Sequence, residues 1–193
     1  MAITIDLSNL PSHLYEVGLT LLKKSDLFDF RSNKTINILK SDIISRDRND
    51  NVISLIIVGV SIEYILKSFL LQKGENIFKK YSKTTIDFND GFSLFDISCS
   101  GNPQLEQLLQ DEGIRRIGEI STKRFDNLID LIDNLKMDEN KKKILKKGLE
   151  KFKTQIRNRF IHLDIGVIQV SPNNFNKCYI PAFNIMLEEL GDS

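Results

Sequence analysis

Residues 52–62 read VISLIIVGVSI and form the most apolar stretch of the chain. The apolar character continues beyond this stretch and ends at Lys73–Gly74, a pair that is typical of a helix C-terminus. A membrane-spanning helix needs about 20 nearly uncharged residues, but the uncharged run ends at Glu63, and Lys67 follows one helical turn later. We therefore predict a central helix of a globular fold that is buried on most sides.

The composition fits one domain with a hydrophobic core. The chain has 193 residues, of which 41% are hydrophobic, and domains commonly span roughly 100–200 residues. Its 27 basic and 26 acidic side chains leave a net charge of +1. This balance argues against a strongly basic nucleic-acid coat protein, but it leaves room for a small basic site. We predict a single domain over residues 1–193.

Several other segments space their apolar side chains three and four residues apart, as amphipathic helices do. They predict helices over residues 12–24 (with Ser12 as N-cap), 35–46, 104–110, 125–135 (started by a cap at Ser121 or Thr122), 138–163 and 174–190. Residues 82–103 lack this spacing and contain turn dipeptides, although the alternation at 86–88 allows a short strand. The predicted fold class is all-α, a bundle of about five or six helices with an irregular insert around 82–103.

Other common kinds of site have no support in the sequence. Cys99 and Cys178 are isolated, with no CxxC pair and no histidine nearby, so we expect reduced thiols and no metal site. Residues 1–12 show neither a basic leader nor a long apolar run, and we expect a cytoplasmic protein without a membrane partner. Because the chain has no glycine-rich phosphate loop, HExxH or GxSxG element, NTPase, zinc-protease and serine-hydrolase activities are not indicated.

The stretch QIRNRFIHL at residues 155–163 carries the strongest chemical signal. Helix geometry places Asn158 and His162 on one face, four residues apart. Arg157 lies five residues before His162, rotated from it by about 140° and displaced by ~7.5 Å, an offset that a long arginine side chain can bridge. The apolar residues of the stretch take the core face, which leaves the polar set toward a groove or a partner.

This element resembles the defining motif of the HEPN superfamily (higher eukaryotes and prokaryotes nucleotide-binding). In that motif an arginine and a histidine are separated by four to six residues, often with Asn, Asp or His directly after the arginine. Arg157, Asn158 and His162 match its three positions. Upstream, Glu63 and Lys67 resemble the Glu-x-x-x-Lys element of an early HEPN helix. The resemblance covers roughly residues 52–163, and the irregular insert departs from the pattern.

The resemblance implies a metal-independent endoribonuclease without a cofactor, whose composite site forms where two protomers bring their Arg157 and His162 side chains together. Histidine titrates near neutral pH and can move the 2′-OH and 5′-oxygen protons. Arginine offers a planar fork of donors to phosphate oxygens. Asn158 would orient the histidine or contact phosphate, and the product end would be a 2′,3′-cyclic phosphate. The family also implies RNA as substrate, a toxin or phage-defence role, and an antitoxin or regulatory protein as a further partner.

Two alternatives stay open. The chain is either a non-catalytic HEPN module that binds RNA, nucleotide or a partner protein, or a structural bundle in which the Arg-x4-His spacing arises by chance. Under these alternatives Arg157 forms a surface ion pair, for instance with Glu150 or Asp164. Glu63 in an apolar helix needs a partner, for which Lys67 is the nearest candidate; a supporting role at the site is the other interpretation.

Further basic residues allow both a functional and a structural interpretation. Arg159 either lines the same groove and binds RNA phosphate or is simply solvated. The lysines between residues 136 and 153 form either a solvated face or an electrostatic track that delivers RNA to Arg157. His13 has no partner pattern, and we assign it no role.

Overall fold

The computed structural model describes residues 3–32, 34–44, 48–80, 95–98, 102–113, 120–158 and 171–191. Over this part the chain is mostly helical, which confirms the predicted fold class in its coarse form. It contains six helices: α1 Leu10–Lys24, α2 Arg48–Gln72, α3 Pro103–Asp111, α4 Phe125–Asp130, α5 Glu139–Phe152 and α6 Ile180–Gly191. Short 3₁₀ turns lie at Ser41–Ile44 and Leu131–Asn134, and a helical turn lies at Pro172–Asn174.

Strands are present as well, so the all-α prediction was too narrow. The described part holds six short strands: β1 Ile3–Asp6, β2 Phe28–Ser32, β3 Thr35–Leu39, β4 Phe78–Lys80, β5 Phe95–Ser98 and β6 Ile120–Thr122. They form three separate pairs: β1 with β5 in parallel, and β2 with β3 and β4 with β6 antiparallel. Of the predicted irregular insert, β5 is described, whereas the short strand expected at 86–88 lies outside the described residues.

The predicted helix over residues 35–46 was wrong, because β3 occupies its first half. Ile36 and Leu39 are buried as expected, but they lie in a strand that is bound by two asparagine side chains from the last helical segment. The Asn184 amide donates to Ile36 O at 2.8 Å and accepts from Ile36 N at 2.8 Å, and Asn176 accepts from Leu39 N. These amides satisfy the edge of β3 as another strand would.

Helix α2 is the centre of the fold, as predicted, and α1 lies close against it. A Cβ at Gly18 would come within 2.7 Å of Ile65 Cγ1, so only glycine fits at this crossing. Two buried serines of α2 donate across the contact: Ser61 Oγ to Gly18 O and Ser68 Oγ to Pro11 O, both at 2.7 Å. The carbonyls of α1 thereby satisfy the buried serine hydroxyls without opening the core.

The second packing contact joins α5 to the last helical segment. A Cβ at Gly148 would clash with Ala182 Cβ at 2.4 Å, so the two helices touch at this glycine. Above it, the Phe152 ring meets those of Phe183 and Tyr179 edge to face, with centroids 5.2 and 5.7 Å apart. Phe152 is the last residue of α5, so this aromatic cluster packs against the end of that helix.

The helix ends were predicted less well than the helices themselves. Helix α1 begins after Asn9, so Ser12 is not its cap. Ser121 and Thr122 lie in β6 and do not cap α4, whose N-cap residue is Arg124. Asp138 does cap α5, since its carboxylate accepts from the N–H groups of Asn140 and Lys141. The predicted helices at 12–24, 104–110 and 174–190 are confirmed, and that from 138 is described as far as Asn158.

Candidate functional site

Arg157 lies in a π-helical turn, Lys153–Arg157, that continues α5. The turn closes through a hydrogen bond from Asn158 N–H to Lys153 O, five residues back. From this position Arg157 Nη2 reaches Glu63 Oε2 of α2 at 2.6 Å, and Lys67 Nζ lies 2.8 Å from Glu63 Oε1. The two sequence elements that we singled out, 94 residues apart, therefore meet in space.

The guanidinium of Arg157 is held from several sides. Its central carbon lies 4.7 Å from the centroid of the Phe125 ring of α4, a cation–π contact. Its Cγ lies beside the backbone of α2, 4.0 Å from where a Cβ of Gly59 would stand. The side chain is 19% exposed, and its Nε is buried without a hydrogen-bond partner among the residues that the structure describes. Arg157 is thus anchored, with part of its guanidinium unsatisfied.

Glu63 stays ionised in this arrangement. Burial raises the pKa of its carboxyl, but hydrogen bonds and charges from Lys67 and Arg157 outweigh that effect, so the pKa lies below its ordinary value. One carboxylate then faces two cations, and the cluster keeps a net charge of +1. The prediction that Lys67 pairs with Glu63 is confirmed. Arg157 pairs with Glu63 and not with Glu150, and Asp164 lies outside the described residues.

The remaining predicted site residues are placed only in part. The Asn158 side chain is half-buried at the end of the π turn, next to Arg157. His162 and Arg159 lie outside the described residues. The convergence of Arg157 and His162 therefore stays a prediction.

Most of the lysines in and just beyond α5 are engaged within the fold. Ion pairs join Lys141 to Glu189, Lys142 to Glu139, Lys146 to Asp133 and Lys153 to Asp126, at 2.5–3.1 Å. Lys143 and Lys147, one helical turn apart, are exposed and have no ion pair within the described ranges. An electrostatic track along this helix would consist mainly of these two side chains.

Helix α2 exposes an apolar stripe, although its sequence predicted a helix that is buried on most sides. Ile53, Ile56 and Val60 are 55%, 40% and 43% exposed. Their spacing of three and four residues continues to Glu63 and Lys67, so the stripe and the ion cluster share one helix face. Because most of α2 is apolar, Glu63 and Lys67 are the main features of its sequence that mark this outer face. In length and composition α2 could cross a membrane, but half of its apolar stretch is buried inside the fold, as in a core helix of a globular domain.

A separate cavity of about 360 Å³ lies where α1 and α3 begin and α2 ends. Its walls include Ser12, Gln72, Gln104 and Leu108, and none of its lining residues is ionisable. Within the described ranges, no three His, Cys, Asp or Glu side chains lie together as metal ligands would.

Comparison of the chain with protein-family models, with curated proteins and with solved structures found no match. The likeness to HEPN proteins thus depends on the residues quoted above.

Proposed function

We propose that this protein is a HEPN-type endoribonuclease, with Arg157, Asn158 and His162 as its catalytic residues. The observation that carries the proposal is the contact between Arg157 and Glu63 at 2.6 Å. Two motifs that are far apart in sequence, and that the family resemblance links, lie side by side in the fold. A chance Arg-x4-His spacing gives no reason for the arginine to meet the upstream Glu-x-x-x-Lys element.

The residue types suit cleavage without a metal. Arg157 uses one of its five N–H donors on Glu63, which leaves others for a phosphate oxygen, and it would stabilise the charge that grows in the transition state. His162 would take the proton of the ribose 2′-OH or protonate the departing 5′-oxygen. The 2′-oxygen then bonds to phosphorus as the bond to the 5′-oxygen breaks. The products are a 2′,3′-cyclic phosphate and a 5′-hydroxyl.

The apolar stripe of α2 supports a homodimer as the active form. Exposed Ile53, Ile56 and Val60 form a continuous apolar face, and such faces mark protein interaction sites. Two copies of this stripe, packed across a two-fold axis, would form an isologous contact. Since Glu63 continues the stripe, the Arg157 clusters of both chains would then lie beside the axis, where one phosphodiester could reach both.

The experiment is RNA cleavage in the presence of EDTA, with analysis of the product ends. The chain has two histidines, and exposed His13 on α1 supplies a matched control. We expect cleavage to 2′,3′-cyclic phosphate ends by the wild type and by His13→Ala, and none by a folded His162→Ala. Equal activity of His162→Ala and wild type would exclude the proposed mechanism.

One observation favours a second candidate, the non-catalytic HEPN module that binds RNA, nucleotide or a partner protein. Arg157 is mostly buried and already paired with Glu63, as expected of an arginine that stabilises the bundle. Binding of RNA by the wild type without any cleavage would favour this candidate. A toxin or phage-defence role and an antitoxin partner are parts of the proposal that come from the family resemblance alone. The proposed cytoplasmic location depends instead on the composition of residues 1–12.

A further inference from the structure

Two π-helical turns pack against each other next to Arg157. The first is Lys153–Arg157, and the second is Phe175–Tyr179, which closes through a hydrogen bond from Ile180 N–H to Phe175 O. A side-chain hydrogen bond joins them, because the Tyr179 hydroxyl donates to Oε1 of Gln155. This hydrogen bond links the second π turn to the segment that carries Arg157.

The first π turn determines where Arg157 points. In an uninterrupted α-helix, residue 157 would be rotated by about 140° from residue 152, five positions earlier. Phe152 is fully buried, so an α-helical Arg157 would point largely away from that buried side. A π turn is wider and brings residues five positions apart closer to the same side. In this conformation the guanidinium reaches Glu63 and the Phe125 ring.

A π turn needs neighbours that hold it, since it is a rare conformation. Thr154 supplies part of the support: its hydroxyl donates to the carbonyls of Glu150 and Lys151, both at 3.1 Å. Tyr179 supplies the rest from the other segment. Its ring is buried and packs edge to face on Phe152 and on Phe175, whose centroid lies 4.9 Å away.

The Tyr179 hydroxyl stays protonated and can therefore act as a hydrogen-bond donor at neutral pH. Burial, with a smaller contribution from neighbouring Cys178, raises the pKa of Tyr179 to about 12. The hydroxyl therefore keeps its proton throughout the neutral range. Gln155 lies two residues before Arg157, in the same π turn. The hydrogen bond from Tyr179 therefore restrains a side chain of the same turn that carries Arg157.

We propose that Tyr179 is a positioning residue, which acts through Gln155 to hold the π turn that aims Arg157 at Glu63. Its effect on RNA cleavage depends on the proposed function, whereas its effect on the Arg157 side chain does not. Two readouts therefore separate the two claims: the NMR resonance of Arg157 Nε–H, and the kinetics of RNA cleavage.

The test variant is Tyr179→Phe, which removes the hydroxyl and keeps the ring. We expect the Arg157 Nε–H resonance to shift and its solvent exchange to become faster. We expect kcat for RNA cleavage to fall about tenfold with KM unchanged, the size of effect that follows from one lost hydrogen bond. Tyr15→Phe on α1 is the matched control, and it should leave both readouts as they are in the wild type.

A second variant and a double mutant guard against a general loss of structure. Gln155→Leu removes the acceptor from an exposed side chain, and it should reproduce the effects of Tyr179→Phe. The double variant should be no worse than either single variant, because both remove the same interaction. An unchanged Arg157 resonance in both single variants would overturn the inference. Failure of the wild type to cleave RNA would refute the proposed function but not the positioning role.

Discussion

Glu63 is the residue on which the arrangement of charge depends. It accepts from Arg157 at 2.6 Å and pairs with Lys67 at 2.8 Å, within a helix that is mostly apolar. Removal of its charge would leave two cations facing each other in a half-buried place. The arginine would then lose the anchor that fixes its direction.

Glu63→Gln should therefore destabilise the fold by roughly 1–3 kcal/mol in urea unfolding at pH 7. In the folded state the pKa of Glu63 lies below its ordinary value of 4.5. The ionised carboxylate therefore contributes its full stabilisation of the fold above about pH 4.5. That stabilisation is lost as the pH falls through the lowered folded-state value. The variant should thus lose less stability than the wild type on acidification.

Some acid sensitivity should remain in Glu63→Gln, since hydrogen bonds from Lys73 and Lys141 also lower the pKa of Glu189. Exposed Glu16 on α1 provides the control, and Glu16→Gln should behave as the wild type does at pH 7 and on acidification. Equal stability of Glu63→Gln and wild type at pH 7 would contradict the anchoring role.

At this scale the sequence predicted only part of the site. The Glu63–Lys67 pair followed from a spacing of four residues on one helix, a local relation. The partner of Arg157 could not be predicted in the same way, because 94 residues separate it from Glu63. The π turn was missed for another reason: the spacing of Leu149, Phe152 and Ile156 is that of an ordinary helix.

Among the elements, α2 combines two roles. One side packs into the core against α1, and another exposes Ile53, Ile56 and Val60 in line with Glu63. The sequence predicted the helix from its apolar run, but not its open face, since polar side chains that would mark an outer face are few. Hairpin β2–β3 was missed because Ile36 and Leu39 fit a helical spacing, while the amides that fix the strand come from residues 176 and 184.

If the stripe on α2 forms the dimer contact, a charge within it should separate the protomers. We expect Val60→Asp to have the mass of a monomer in light scattering, to keep its helical circular dichroism and to lose RNA cleavage. Ile144 on α5 is equally exposed, at 45%, and Ile144→Asp should remain a dimer. A dimeric Val60→Asp would place the interface elsewhere.

For the whole molecule, periodicity predicted a mostly helical fold correctly, and it failed where segments distant in sequence pair. Two of the three strand pairs show this, since β1 pairs with β5 and β4 with β6 across long stretches of chain. The proposed function also depends on groups that are brought together from different segments and from two chains. It requires the Arg157 and His162 groups of two chains to act on one phosphodiester.

The most direct test of that claim measures RNA cleavage by a fixed amount of wild-type chain assembled with increasing His162→Ala chain. We predict that activity falls as the inactive chain is added, because wild-type chains pass into mixed dimers with an incomplete site. A His162→Ala chain that also carries Val60→Asp should not lower the activity, as it cannot join the dimer. Constant activity at every proportion of the single variant would mean that each chain works alone, and would contradict the composite site.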